Sequence, residues 1–135
     1  MSGPSYTEVT RGIRVTVRPE YLPDQSEPAE GRWVWAYHVT IANEGAETVQ
    51  LLRRTWIITD SQGRTQRVHG PGVVGEQPVL APGEAFRYTS GTPLATPSGF
   101  MRGFYHMVVR ATGEAFDVVI PPFALDVTER PARLN

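Results

Sequence analysis

The residues whose spacing most resembles known chemistry are the glycines of Gly70-Pro71-Gly72-Val73-Val74-Gly75, a G-x-G-x-x-G run. In a dinucleotide fold such a run lets backbone amides approach a pyrophosphate at a helix N-terminus. Here Pro78 and Pro82 leave no room for that helix, and Pro71 removes one of the amides. No acid that might hold a ribose lies between Glu84 and Glu114. A Rossmann unit is therefore not expected. Two readings stay open for Gly70, Gly72, Val73, Val74 and Gly75: a small nest for phosphate or pyrophosphate, or a structural loop whose glycines permit unusual backbone angles.

The other reactive types are dispersed. His38, His69 and His106 sit on separate segments, with no H-x-H, H-E-x-x-H or calcium-loop spacing. Three strands can bring histidines together, but the expectation is surface or internally satisfied rings and no metal site. Cysteine is absent, which excludes disulfides, thiolate ligands and cysteine nucleophiles. All 13 basic residues are Arg, so lysine Schiff-base chemistry is excluded too. Their scatter reads as coding bias rather than as a recognition surface. Ser90-Gly91 lacks the G-x-S-x-G elbow, and no spacing suggests a Ser–His–Asp relay. The chain is expected to be no enzyme and to need no cofactor.

Two features point instead to binding. Trp33, Trp35 and Tyr37 share one face of one strand, a stripe that reads either as core or as a docking groove or dimer surface exposed at one end. Arg54 has the parity of Leu52, Trp56 and Ile58, an odd charge on an apolar face. A carboxylate partner or an aromatic stack is the expectation for it, an anionic ligand the alternative.

The elements that must position these residues are strands. Thirteen Gly and 12 Pro punctuate the 135 residues, and no window of a dozen combines helical apolar spacing with freedom from both. Period-two alternation runs through 13–18, where Ile13, Val15 and Val17 face away from Arg14, Thr16 and Arg18, and again through 33–41. Residues 48–59 are apolar on both faces, predicting a central strand. Asp60-Ser61-Gln62-Gly63 is a turn into a more polar strand over 64–69. Further strands are predicted over 85–90, 100–110, 115–120 and 123–128, with an edge at 6–10. Seven to nine short strands without a covering helix mean an all-β, antiparallel sandwich of fibronectin type III or immunoglobulin-like style, a barrel being the alternative. One domain over 1–135 is expected, with its core over about 6–127 and mobile termini.

Three long connections, 19–32, 70–83 and 91–98, are where function is expected to sit. If every strand reverses, 19–32 and 91–98 emerge with the Asp60 turn and 70–83 lies at the other end. A hidden strand near Val79 would break that parity. A net charge of −1 gives no reason to expect nucleic acid as a partner, and no apolar run is long enough to span a membrane. With no secretory leader, a cytoplasmic protein is expected. A homodimer through a sheet edge and a monomer are equally consistent.

A longer pattern emerges when these pieces are joined. It comprises Arg54-Thr55-Trp56-Ile57-Ile58-Thr59-Asp60, Val68-His69-Gly70-Pro71-Gly72, Leu80-Ala81-Pro82-Gly83-Glu84, Tyr88-Thr89-Ser90-Gly91, Gly99-Phe100-Met101-Arg102-Gly103-Phe104-Tyr105-His106-Met107 and Ile120-Pro121-Pro122-Phe123. The pattern resembles the ApaG (CorD) family over nearly the whole chain. The resemblance implies a fibronectin-type-III-like sandwich and an association with cobalt resistance and magnesium efflux. It also implies proximity to diadenosine tetraphosphate metabolism, and protein–protein contact of the kind made by ApaG-like domains of F-box proteins. It supplies no catalytic residues. The pyrophosphate-binding loop proposed for the family falls on Gly70, Gly72 and Gly75, where Pro71 departs from the acidic residue often found. The expected function is a non-enzymatic module that binds another protein, with phosphate or pyrophosphate binding as the alternative.

Overall fold

A computed structural model describes residues 3–127. Nine strands follow in order: β1 (Tyr6–Thr10), β2 (Ile13–Tyr21), β3 (Trp33–Asn43), β4 (Val49–Asp60), β5 (Thr65–Pro71), β6 (Val79–Leu80), β7 (Ala85–Leu94), β8 (Ser98–Val109) and β9 (Ala115–Asp126). One sheet has the order β1-β2-β3-β7; the other runs β5-β4-β8-β9, with β6 also paired to β4. Every pairing is antiparallel. The described residues contain no α-helix, only short 3-10 turns at Pro23–Gln25 and Pro28–Glu30 in the long β2–β3 connection. No helix among them is long and apolar enough to cross a membrane.

The two sheets face each other because alternation gives each one apolar face to hide. Ile13, Val15 and Val17 of β2 and Trp35, Tyr37, Val39 and Ile41 of β3 meet Trp56, Tyr105, Ile120 and Phe123 of the opposite sheet. β1 and β2 pack against β9 along one side, where the Val119 amide donates to Thr10 Oγ1 at 3.1 Å. Along the other side β5 and β7 stand apart, leaving the sandwich open.

Two bulges correct the expected parity. In β4 the register shifts between Leu51 and Arg53, so Val49 and Leu51 point inward with Trp56 and Ile58, while Leu52 and Ile57 lie outside the core cluster. The strand is central, as expected, but its two apolar faces are one inner face resumed after an extra residue. In β9 the pair Pro121-Pro122 lies opposite a shift between Met101 and Gly103. What reads as two strands, 115–120 and 123–128, is one edge strand kinked where proline lacks a ladder donor; Thr128 lies outside the described residues. β7 likewise continues to Leu94 and shortens the 91–98 loop to a tight turn.

The short strand near Val79 exists, yet the parity holds. β5 and β6 both run antiparallel to β4 on the same edge, so they share a direction. The Gly-rich segment is a protrusion midway along that edge, and the chain reaches the far end only at 81–84, where the Gly83 amide donates to Asn43 O at 2.7 Å.

Gly103 lies opposite Trp56 in the β4–β8 ladder, and a Cβ there would stand 2.1 Å from the Thr55 carbonyl oxygen. Because that obstacle is backbone, the strands must part. Gly103→Ala is expected to cost about 3 kcal/mol, read as a lower urea midpoint at unchanged slope. An unchanged midpoint would contradict the close strand approach.

Candidate functional site

The open side forms a cleft of about 630 Å³ between the sheets. Its floor is Tyr37, Trp56, Ile58 and Met101, from three strands. One wall is the edge of β5 with Gln66 and Val68, and the other is β7 over 90–93. The segment carrying Val73, Val74 and Gly75 folds over one end. A second stretch of about 200 Å³ shares Ile58, Gln66 and Pro93 and extends the groove toward the Asp60 turn.

Arg54 faces this cleft because it lies beyond the β4 bulge, in unbroken alternation with Trp56 and Ile58. No carboxylate pairs with it among the described residues, which overturns the expected ion pair. Nη1 instead donates to Pro71 O at 2.9 Å and Gly72 O at 3.1 Å. Gly70, its cross-strand neighbour, is what lets the guanidinium through: a Cβ there would lie 2.8 Å from Nη1 and 3.4 Å from Cζ. Arg54 is therefore a half-buried cation held by two carbonyls, its charge uncompensated by any carboxylate among the described residues.

The other motif glycines serve the same construction. The Gly72 amide donates to Leu52 O at 2.8 Å, as does Gln77 Nε2 at 3.0 Å, so the loop satisfies the carbonyl that the bulge exposes. Val73 and Glu76 exchange both backbone hydrogen bonds around Val74 and Gly75, whose φ values are 43° and 83°. Positive φ at both central positions marks a type I′ turn. Three amides that a phosphate nest needs, those of Gly72, Val73 and Glu76, are thus already engaged. Within the turn only Val74 and Gly75 keep amides without a backbone partner among the described residues.

Val74 is out of place by local preference. A β-branched residue at positive φ is strained, and this one is 55% exposed at the lip of the cleft. Asn-Gly is the favoured pair for such a turn. Val74→Asn is expected to raise stability by about 1 kcal/mol while removing the apolar lip; a lower urea midpoint for this variant would show that the side chain stabilises the fold instead.

The aromatic stripe divides. Tyr37 lies on the cleft floor, directly across the β3–β7 ladder from Ser90. Trp35 is 1% exposed inside the core, with Nε1 3.4 Å from Asp126 O, and Trp33 is packed against the core margin. Neither tryptophan lines the cleft. Sequence reasoning missed Tyr88, Gln66 and Thr92. Carrying the alternation of β7 past Ser90 places Tyr88, Ser90 and Thr92 on the inner face, the same signal of polarity turned inward that Arg54 gives.

The buried hydroxyls form a network beneath the cleft. Tyr88 and Tyr105 hydrogen-bond through their hydroxyls. Burial pushes both pKa values above the ordinary tyrosine range, as it does for Tyr37, while the nearby Arg54 charge opposes the shift in all three.

The histidines are engaged on the outer faces. Asp117 Oδ1, His106 Nδ1 and Nε2, Thr55 Oγ1 and His69 Nδ1 form a chain with successive contacts of 2.7 Å across β9, β8, β4 and β5. Two links of it have the connectivity of an acid–base–nucleophile triad. Thr55, however, is 5% exposed, its oxygen is bonded to both imidazoles, and neither groove described above reaches it. His38 bridges Glu20 at 2.9 Å and Thr89 at 2.8 Å on the other sheet. No group of three or more His, Cys, Asp or Glu among the described residues is placed to hold a metal ion.

Fold and site together define a two-sheet antiparallel β-sandwich open along one side, with Arg54 in the opening. The sequence pattern of the ApaG domain matches residues 23–109, and the chain belongs to the ApaG family. It is 69% identical over 130 residues to Protein ApaG of Rhodospirillum centenum, covering 96% of this chain and 99% of that one. Protein ApaG of Paramagnetospirillum magneticum is 60% identical over the same shares. Among solved structures, the putative ApaA protein from Bordetella pertussis superposes with a TM-score of 0.83 at 51% identity, covering 86% of this chain and 94% of that one.

Proposed function

We propose that this ApaG-family chain is a non-enzymatic binding domain that holds another protein in the β5–β7 cleft, and that this contact serves the handling of divalent cations such as cobalt and magnesium. The supporting observation is Arg54, a cation without a carboxylate partner among the described residues, above an apolar floor and beside a strained apolar lip. Half-burying an unpaired charge is costly unless a ligand completes it, and strain at an exposed position points to use rather than to folding. The cation context rests on the family resemblance.

The test is photocrosslinking in cells from Val74→p-benzoylphenylalanine, with Glu8 of β1 as the control position. Specific adducts from position 74, absent from position 8 and lost in Arg54→Gln, are expected. Identical adducts from both positions, or none from either, would defeat the reading.

One observation favours a second reading, in which the 70–75 loop binds pyrophosphate or a nucleotide connected with diadenosine tetraphosphate turnover: Arg54 stands beside that loop. Titrating pyrophosphate and diadenosine tetraphosphate while following the Val74 and Gly75 amides tests it. Amides that stay still at millimolar ligand would end it.

A further inference from the structure

Resting on the docking reading above, we infer that the cleft takes the carboxy-terminal end of the partner chain, laid in as a strand with its terminal carboxylate on Arg54. The guanidinium is prepared for a planar anion. Nη1 is fixed by the Pro71 and Gly72 carbonyls, whereas Nε and Nη2 make no hydrogen bond among the described residues. That remaining edge is a two-donor fork matching both oxygens of a carboxylate. A phosphate dianion fits less well, because the Gly72, Val73 and Glu76 amides that might share its second charge are engaged. A carboxylate balances one guanidinium one to one.

The shape of the groove argues for a chain end. It continues toward the Asp60 turn through the stretch lined by Arg64, Thr65 and Ala95. At the other end it is stopped by the Val73–Glu76 turn, whose Val73 is itself part of the core. An internal acidic residue seated on Arg54 would have to pass its following residues through Val73. A terminal residue has none to pass.

Direction and length agree. A segment entering from the Asp60 end and stopping at Arg54 runs antiparallel to β7, the pairing used throughout this fold. Among the described residues β7 has no strand partner other than β3, so its outer edge is open to a visiting strand. β5, which forms the other wall, has 7 residues; at about 3.3 Å per residue that accommodates roughly six residues of extended ligand. The last side chain then rests on Trp56 and Ile58, so a large apolar final residue is selected.

The probe is a pool of random hexapeptides with free carboxylates, selected on the full chain and measured by fluorescence anisotropy. Selected sequences are expected to end in large apolar residues. Amidating the terminus should weaken binding tenfold or more, and Arg54→Gln should do the same while Arg54→Lys retains part of it, with melting curves confirming that both variants fold. Equal binding of amidated peptides, indifference to Arg54→Gln, or failure to select any peptide would overturn the inference. So would pyrophosphate displacing the peptides more strongly than acetate at equal concentration. Crosslinks from position 74 that map to internal partner segments would overturn it while leaving the docking reading intact; absence of crosslinks removes the docking reading itself.

Discussion

Trp56→Ala is expected to lower the melting temperature by roughly 10–20 °C, corresponding to about 3–5 kcal/mol for removing a buried tryptophan. Trp56 is 3% exposed, and its ring lies 5.1 Å from Tyr37, 5.9 Å from Phe123 and 6.5 Å from Tyr105, centroid to centroid. The Tyr37 contact crosses to the opposite sheet and the Phe123 contact spans β4 and β9 of the same sheet, which the backbone does not pair, so the indole is a staple between sheets as well as the floor of the cleft. Gly103 is its cross-strand neighbour and presents no side chain to fill the gap. Since domains of this size are stable by only about 5–15 kcal/mol, the variant should lie near the limit of folding at growth temperature. Trp56→Phe keeps a ring there and is expected to lose less than half as much. A melting temperature within about 2 °C of the parent for Trp56→Ala would contradict the core placement.

Raising the pH through about 10 should unfold the chain steeply. Tyr37, Tyr88 and Tyr105 are buried with pKa values raised by burial, whereas in the unfolded chain they ionise near 10. Between those limits the folded state binds more protons than the unfolded state, so stability falls with rising pH. It is fully present below pH 10 and is lost progressively toward the folded-state values. Each group contributes about 1.4 kcal/mol per pH unit, and the three together up to about 4. The urea midpoint followed from pH 8 upward measures this, and tyrosinate absorbance should rise together with loss of the β signal. A flat midpoint to pH 11 would mean that the hydroxyls reach solvent in the folded chain.

These hydroxyls and Arg54 clarify what the glycine-rich motif does. Its outline invites a nucleotide reading, but each glycine solves a local problem of the β4 edge. Gly70 clears the path of the guanidinium, Gly72 supplies an amide to the bulge carbonyl, and Gly75 completes the turn that closes the groove. A Cβ at Gly72 would stand 2.4 Å from Glu76 O, so the motif is stereochemically required whether or not an anion ever binds.

Alternation alone determined much of this protein. Ile13, Val15 and Val17 opposite Arg14, Thr16 and Arg18, with turn residues closing each run, suffice for an antiparallel sandwich, because side chains in a strand must alternate between faces. The inward parity of Arg54 was legible for the same reason, whereas the Gly-rich segment, expected at one end, stands midway along the β4 edge. The tertiary structure alone decided the rest. Period-two reading assumes unbroken strands, so it does not register the bulges at Leu52 and at Pro121-Pro122, and an extra residue there reverses every face that follows. Nor does it show which strands become edges. That choice left β5 and β7 unpaired with each other and turned three inward polar positions into the wall of a cleft. Trp35 and Tyr37 share one face of β3 and both are buried, yet only Tyr37 borders the cleft, since depth beneath a sheet edge belongs to the assembled layers and not to the order of residues along the chain.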